Sequence, residues 1–379
     1  MALDSSPLEA FSPVRILQLR MFFSLCILLI FCANCAGRSP KVDGDTKALG
    51  SIKEYEEKVA VKELPAEEQK TPIETKELVS LNQPKLGLEP AVKVEVKGKH
   101  RKKRKMEAPE ETDMTGMTSA TAEVIARKHL PETEDSEGFV GRRPSVDPFR
   151  VGEKITLMLT YFGVSAGDTT MEVKPFAEVN GRRAYHFYSE MKSSAVFSMF
   201  YKVDDYCESF LDYEEMVPLN FTLSATETKQ IKEVRQFFDW KNRKADYWER
   251  RVTKEDGVQE KKRSWDLEPY SQNIYTAVQY IRTFQLQDGK TYIYHVSDDG
   301  RTWDVKATVL RREILKTDLG NFKSVVIKPE VFTEGILKPM GEVLFWYSDD
   351  DRKFPIKFES KIKIGKVIGY LKGMEKGAP

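Results

Sequence analysis

From residue 149 to residue 372, apolar and polar residues alternate in short runs that end at Gly, Asn or Asp. This period of two is the strongest constraint on the fold. "EKITLMLTYFG" (153–163) alternates, "DTTMEVKPF" (168–176) follows a Gly-containing turn, and "RRAYHFYSEM" (182–191) follows Asn180 and Gly181. An Asn-Gly pair between alternating runs marks an antiparallel hairpin, because both residues accept the positive φ that a tight hairpin turn demands. Similar runs recur at 199–210, 219–226, 229–239, 244–252, 291–297, 302–313, 321–328, 341–347, 354–364 and 366–372. One stretch breaks the pattern: "PYSQNIYTAVQYIRTF" (269–284) sets Ile274, Ala277, Val278 and Ile281 at helical spacing, with Ser271 available as an N-cap. The expected architecture is all-β over 148–374, a curved antiparallel sheet or open β-barrel of about a dozen strands with one amphipathic helix across its mouth or concave face.

Ahead of this domain the chain changes character twice. Arg15 and Arg20 precede the apolar "MFFSLCILLIF" (21–31), and small residues follow in "CANCAG". A run of about 11 residues is shorter than the roughly 20 needed to span a bilayer and matches the core of a signal peptide, here 1–36. Three outcomes fit: ordinary cleavage near Ala36, lipoprotein processing in which Cys35 is acylated and becomes the N-terminus, or an uncleaved anchor where the scissile bond is poor. Cys35 suits the second route better than Cys32, since small Ala33 and Asn34 precede it whereas bulky Ile30 and Phe31 precede Cys32. Residues 37–147 are dominated by Pro, Glu, Lys, Thr and Ser, so they cannot bury enough apolar area to offset chain entropy and are expected to form a disordered charged linker. As a flexible chain of about 110 residues it would span roughly 60 Å.

Charge narrows the function classes. The 60 Lys and Arg nearly balance the 59 Asp and Glu, so no global field argues for nucleic acid. The basic run "KGKHRKKRK" (97–105) is either a solvated charge run or, behind an export signal, a contact for an anionic envelope polymer or lipid. Of the four cysteines, Cys26, Cys32 and Cys35 crowd the N-terminal apolar stretch and Cys207 stands alone, which excludes an intrachain disulfide framework and a thiolate zinc site.

Three blocks carry a resemblance: "FYKVDDYCESFLDYEEMVPLNF" (200–221), "EPYSQNIYTAVQYIRTFQLQDGK" (268–290) and "GEVLFWYSDDDRKFPIKFESKIKIGKVIGYL" (341–371). They resemble the bacterial envelope family called domain of unknown function 3108. Asp205, Ser209, Asp212 and Pro218 match its first block. Pro269, Ser271 and Arg282 match the second, with Glu268 in place of an Asp, and Trp346, Ser348, Asp350, Arg352 and Pro355 match the third. The resemblance covers about 149–372 and implies an exported, β-rich protein with no agreed activity. By architecture alone, the expected sheet is also similar to the half-barrels of the LolA and LolB lipoprotein carriers.

The densest carboxylate cluster near a structured run is Asp349, Asp350 and Asp351, between "LFWY" (344–347) and "FPIKF" (354–358). Aspartates favour tight turns because their carboxylates accept nearby backbone N–H groups. The expectation is a turn, with Asp350 and Arg352 as a structural pair, and no metal. Cys207 with His186 or His295 would be the only thiol–imidazole candidates, and all three fall in alternating strands where packing explains them. With no nucleophile elbow, phosphate-binding loop or paired-histidine motif, no catalytic residue and no cofactor are expected. The function expected is a non-enzymatic envelope protein, periplasmic or lipid-anchored, that binds a lipid or an acylated protein beneath a lid formed by Ile274, Val278 and Ile281. A structural or assembly factor contacting envelope proteins or peptidoglycan is the alternative.

Overall fold

The computed structural model describes residues 52–65, 69, 139–140, 143–144, 146–333, 336–338, 343–361 and 365–378. Cys35, the segment 1–36 and the basic run 97–105 lie outside them. The strands are β1 (Val61–Glu63), β2 (Phe139–Val140), β3 (Arg143–Pro144), β4 (Glu153–Tyr161), β5 (Val164–Val179), β6 (Arg182–Ser193), β7 (Val203–Asp212), β8 (Pro218–Glu227) and β9 (Gln230–Asp239). They continue with β10 (Lys244–Thr253), β11 (Gly257–Asp266), β12 (Thr291–Asp298), β13 (Arg301–Thr317), β14 (Gly320–Thr333), β15 (Ile336–Lys338), β16 (Val343–Ser348), β17 (Pro355–Lys361) and β18 (Lys366–Lys376). Among the described residues, all strands but β2 and β3 belong to one antiparallel sheet of 16, of which 14 follow the order β11-β10-β9-β8-β7-β6-β5-β4-β18-β17-β16-β14-β13-β12, while β1 pairs with β5 and β15 with β14 off this path. Nearly every neighbour is a hairpin partner. The decisive exception is β4 with β18, which runs from Val367 opposite Tyr161 to Lys376 opposite Glu153 and joins the first long strand to the last.

The two ends of this path meet through side chains. Trp265 on β11 donates its indole N–H to Ser297 Oγ on β12 (2.8 Å), and Arg263 donates to the Asp299 carbonyl (2.8 Å). The free edge of β12 is taken by Gln272, whose N–H donates to His295 O and whose carbonyl accepts from Ser297 N, both at 2.8 Å. The sheet is therefore an open barrel with a bridged seam. Strand β11 escapes sequence reading for a physical reason. "GVQEKKRSWD" is exposed along almost its whole length, so with neither face buried no alternation is imposed on it, and its charges blunt an edge that would otherwise recruit other strands.

The exceptional helix spans Ile274–Tyr280 and tightens into a 3₁₀ turn at Ile281–Thr283. Its N-cap is Asn273, not Ser271. Asn273 Oδ1 accepts from Tyr275 N and Thr276 N while Thr276 Oγ1 accepts from Asn273 N, whereas Ser271 Oγ is spent on Glu268 O. Asn273 wins because its longer amide reaches the second and third N–H groups and still donates to Ser209 Oγ on β7 (2.7 Å). Seven residues are too few for an independent helix, so packing holds it. Tyr275 OH donates to Tyr188 O (2.9 Å) and Tyr347 OH donates to Val278 O (3.0 Å). Buried Thr276 and Gln279 share the helix with Tyr275 and Tyr280, and the helix packs within the core. Among the described residues no helix is long and apolar enough to cross a membrane.

Residues 52–65 depart from the expected disordered linker. A helical turn, Lys53–Lys58, lays Tyr55 against Trp248 (ring centroids 5.9 Å), with Asn220 Nδ2 donating to its hydroxyl (2.9 Å). Strand β1 then pairs with the end of β5, Val61 opposite Val179 and Glu63 opposite Ala177. The hairpin turn at Asn180 clasps the segment, since Asn180 Nδ2 donates to Lys58 O (2.7 Å) and Ala60 N donates to Asn180 Oδ1 (2.9 Å). The surface that orders this stretch lies more than a hundred residues downstream, and local composition carries no trace of it.

One buried charge group ties these parts together. Glu153, at the start of β4, is 3 % exposed and Arg282, after the helix, is 1 % exposed. Arg282 Nη1 and Nη2 reach the two Glu153 oxygens at 2.7 and 2.9 Å, and Arg352 Nη2 reaches Oε2 at 2.7 Å. Arg282 also donates to Gln279 Oε1, Pro148 O and Arg352 O, so its planar fork is almost fully used. Breaking such a group strands a buried charge. Glu153→Ala should therefore cost about 3 to 5 kcal/mol in urea titration. Glu178→Ala, which removes an exposed partner of Lys62, should cost no more than about 1 kcal/mol, and equal losses would refute the ranking.

Candidate functional site

The aspartate run forms the turn between β16 and β17. Asp350 Oδ1 accepts from Ser348 Oγ (2.9 Å), Arg352 N (3.0 Å) and Lys353 N (2.9 Å). Asp349 takes the Arg312 Nε–H. The expected side-chain pair of Asp350 with Arg352 is replaced by this backbone contact, because the Arg352 guanidinium turns to Glu153, Pro148 O and Lys376 O, where a buried carboxylate outcompetes a solvated one. Among the described residues no group of three or more His, Cys, Asp or Glu is arranged to hold a metal ion.

The thiol and imidazoles do not converge. His186 Nε2 meets Glu208 Oε2 (3.0 Å) and its ring stacks on Phe210, while Cys207, one residue from Glu208, faces the other side of β7. His295 Nδ1 meets Asp304 Oδ1 on the neighbouring strand (2.8 Å). Burial pushes the Cys207 thiol far above its ordinary range, which keeps it protonated and a poor nucleophile.

What the fold does build around Cys207 is an apolar cleft of about 70 Å³ beside the helix. Ile274 and Val278 form its helical wall, with Met191 on β6, Cys207 on β7, Leu223 on β8 and Phe345 on β16 opposite. Partly exposed Tyr206 and the β17 residue Lys357 mark its outer side. Ile281, expected in the same stripe, lies in the central core at 2 % exposure and does not reach the cleft. A second cleft of about 30 Å³ lies between the ends of β4, β5 and β6 and is lined by Leu159, Tyr161, Phe197 and Val203; Met191 belongs to both. Space of this size holds about five water molecules in the larger cleft, or a few methylene groups. Unbranched Met191 and Met171 in its wall can change rotamer to enlarge it. Ser189, also in the wall, spends its hydroxyl on Thr170 O (2.6 Å). Glu190 and Lys357 also line the cleft, ion-paired with Lys192 (3.0 Å) and Glu359 (2.7 Å), and most of the remaining wall is apolar.

Two strand residues beyond Cys207, on the same face of β7, Asp205 is buried with Glu227 of β8 beside it. Thr226 N donates to Asp205 Oδ1 (2.8 Å), Oδ2 has no protein partner, and Tyr201 OH donates to Glu227 Oε2. Burial first, and then the Glu227 carboxylate, push Asp205 up to about 8, and burial raises Glu227 as well. The pair therefore holds a proton at neutral pH. Sequence reading met Asp205 only as a position of the first family block, since a strand alternation gives no sign that a polar residue faces inward. Folded Asp205 binds its proton more tightly than unfolded Asp205, whose ordinary value is 3.8, so this group withdraws stability as pH rises from about 4 to 8. Relative to wild type, Asp205→Asn should gain stability in urea titrations across that window, and a constant difference between the two proteins would refute the assignment.

No curated protein matches the chain. It is similar to a β-barrel-like protein of the domain of unknown function DUF1849 from Brucella abortus, at 11 % identity over 60 % of this chain and 98 % of that one, with a TM-score of 0.40. It is similar to a protein from Bacteroides fragilis NCTC 9343 described as a candidate exported protein with a YmcC-like fold, at 9 % identity over 61 % of this chain and 98 % of that one, with a TM-score of 0.28. A candidate lipoprotein from Parabacteroides distasonis ATCC 8503 gives 10 % identity over 61 % and 99 %, with a TM-score of 0.29. The blocks at 200–221, 268–290 and 341–371 meet at the helix and its Arg282–Glu153–Arg352 tie, and they fall within 156–372, the span matched by the model for the protein of unknown function DUF3108: the chain belongs to the DUF3108 family.

Proposed function

We propose that this chain is an exported, non-enzymatic protein of the cell envelope that holds an apolar group, an acyl chain or the tail of a lipid, in the cleft between the central helix and strands β6 to β8. The observation that carries the reading is the cleft wall itself. Ile274, Val278, Met191, Leu223 and Phe345 turn carbon toward a space that opens to the surface. An acyl chain is the occupant whose chemistry matches such a wall, because each buried methylene contributes about 0.8 kcal/mol without needing a polar partner. Export rests on residues 15–37, where a basic start, a short apolar core and small residues follow one another, and lipid anchoring on Cys35. Export also sets the supply, since acyl chains are abundant neighbours outside the cytoplasm. The high thiol range of Cys207 and the spent hydroxyl of Ser189 favour binding over bond breaking.

Lipids extracted from the purified protein and read by mass spectrometry should include an acyl-bearing species, and a fluorescent fatty acid should bind. Val278 is half-buried on the cleft side of the helix, so Val278→Trp should fill the space at a cost of about 1 to 3 kcal/mol in stability and leave the fold intact by circular dichroism. Binding of the fluorescent fatty acid should fall at least about tenfold, the loss of roughly two buried methylenes. A folded Val278→Trp variant that binds as well as wild type, or a wild type that binds no apolar probe, would overturn the reading.

A further inference from the structure

We infer that one end of the barrel is a docking surface for a phospholipid bilayer, built from the β4–β5 hairpin tip and the connection between β6 and β7. This rests on the cleft reading, since it names where the proposed apolar cargo would enter.

Large apolar side chains stand in solvent at this end. Phe162 at the hairpin tip is 67 % exposed, and Met199 and Phe200 in the β6–β7 connection are 74 % and 78 % exposed. Val164 and Val196 beside them are also exposed. The turn holding Phe162 is Phe162-Gly163, with φ of 50° and 76° between paired Tyr161 and Val164. That is the two-residue hairpin geometry in which Asn-Gly is favoured, and a bulky aromatic there works against the local backbone preference. The β6–β7 connection is likewise anchored so that its apolar residues point outward. A single helical turn, Ala195–Ser198, is capped by Ser194 and sends Phe197 inward to the second cleft, leaving its neighbours outside. The two tips are fastened to each other through Ser194 N to Ala166 O (2.8 Å) and Ser194 Oγ to Ser165 O (3.3 Å).

Three features select a bilayer as the occupant. The apolar groups crown two convex tips rather than line a groove, the shape that enters a headgroup layer. Exposed Lys192, Lys202, Lys361 and Lys366 stand on the strands and loop behind them, Lys366 beside Gly365, which packs against the Phe162 ring. Lysine heads behind an apolar tip match anionic headgroups around an inserted one. Because Lys192 and Lys366 also meet Glu190 and Glu359, apolar insertion outweighs charge and salt should weaken docking only modestly. Finally, the patch is continuous with the clefts. Phe197 and Tyr161 line the small one, and Met191 joins it to the large one, so an immersed tip would bring the entrance to the level of the acyl chains.

The test uses the full chain with an environment-sensitive fluorescent amino acid at position 199, added to phosphatidylethanolamine–phosphatidylglycerol vesicles. Emission should shift to the blue and be quenched by lipids spin-labelled near the headgroup. Phe162→Ser combined with Phe200→Ser should weaken the partitioning reported at 199 about tenfold or more while fluorescent fatty-acid binding in solution is unchanged. Because the reporter sits on the tip, co-flotation through the N-terminal apolar run alone would leave it silent, and a silent reporter overturns the proposal. A blue shift that appears with protein concentration and without vesicles would assign the patch to a second copy and overturn it equally. Immersion of position 199 in a protein whose cleft binds no fatty acid would uphold the docking surface and reject the carrier reading.

Discussion

Glu153 begins the first long strand in a position almost closed to water, and a carboxylate there is tolerable only because two guanidinium groups arrive to meet it. Those groups come from far along the chain, Arg282 after the helix and Arg352 from the β16–β17 turn. Each also satisfies backbone carbonyls, of Pro148 in both cases and of Lys376 for Arg352, so the charge group fastens the entry to the domain, the helix, a hairpin turn and the C-terminal strand at one point. Apolar clusters of the same volume are often as stable, but they lack the directional bonds that single out particular partner atoms.

The depth of the helix in turn makes the cleft. Asn273 bound to Ser209 on β7, Tyr275 bound to Tyr188 O on β6 and Tyr347 bound to Val278 O fix the seat of the helix against the sheet, and the side chains at its Ile274–Val278 face do not fill all the space left there. Two residues from Cys207, the same inner face of β7 carries buried Asp205, whose raised range keeps its neighbourhood close to neutral.

How much of this could be read from the sequence depended on whether a residue's surroundings were local. The hairpin at Asn180-Gly181 was legible because its turn needs positive φ at both residues, and both have it. The alternating strands were legible because one buried face imposes a period of two. Strand β11 was not, since neither of its faces is buried, and residues 52–65 were not, since Trp248, Asn220 and Asn180 order them from a distance. The helix was found by its stripe, yet its cap was misassigned because Ser271 and Asn273 are both good caps and only the contact with Ser209 separates them. Within the candidate site, Ile274 and Val278 were visible as apolar positions, while the lone Cys207, Met191 and Leu223 looked like any strand interior. Asp205 and Glu153 were least visible of all, because a buried carboxylate is written in the sequence in the same letter as a solvated one.

The pairing of β4 with β18 has a kinetic side. Glu153 finds Lys376 only after every intervening strand has been made, so the sheet contains a contact between residues separated by most of the domain. Contacts of such range are slow to form, since the loop must be closed before the ladder offsets its entropy. Until the last dozen residues are available, β4 and β17 each lack a neighbour and the sheet is incomplete. A sheet built this way is closed by its last strand, so its two halves are joined along β4 and β17 only when the C-terminal residues arrive.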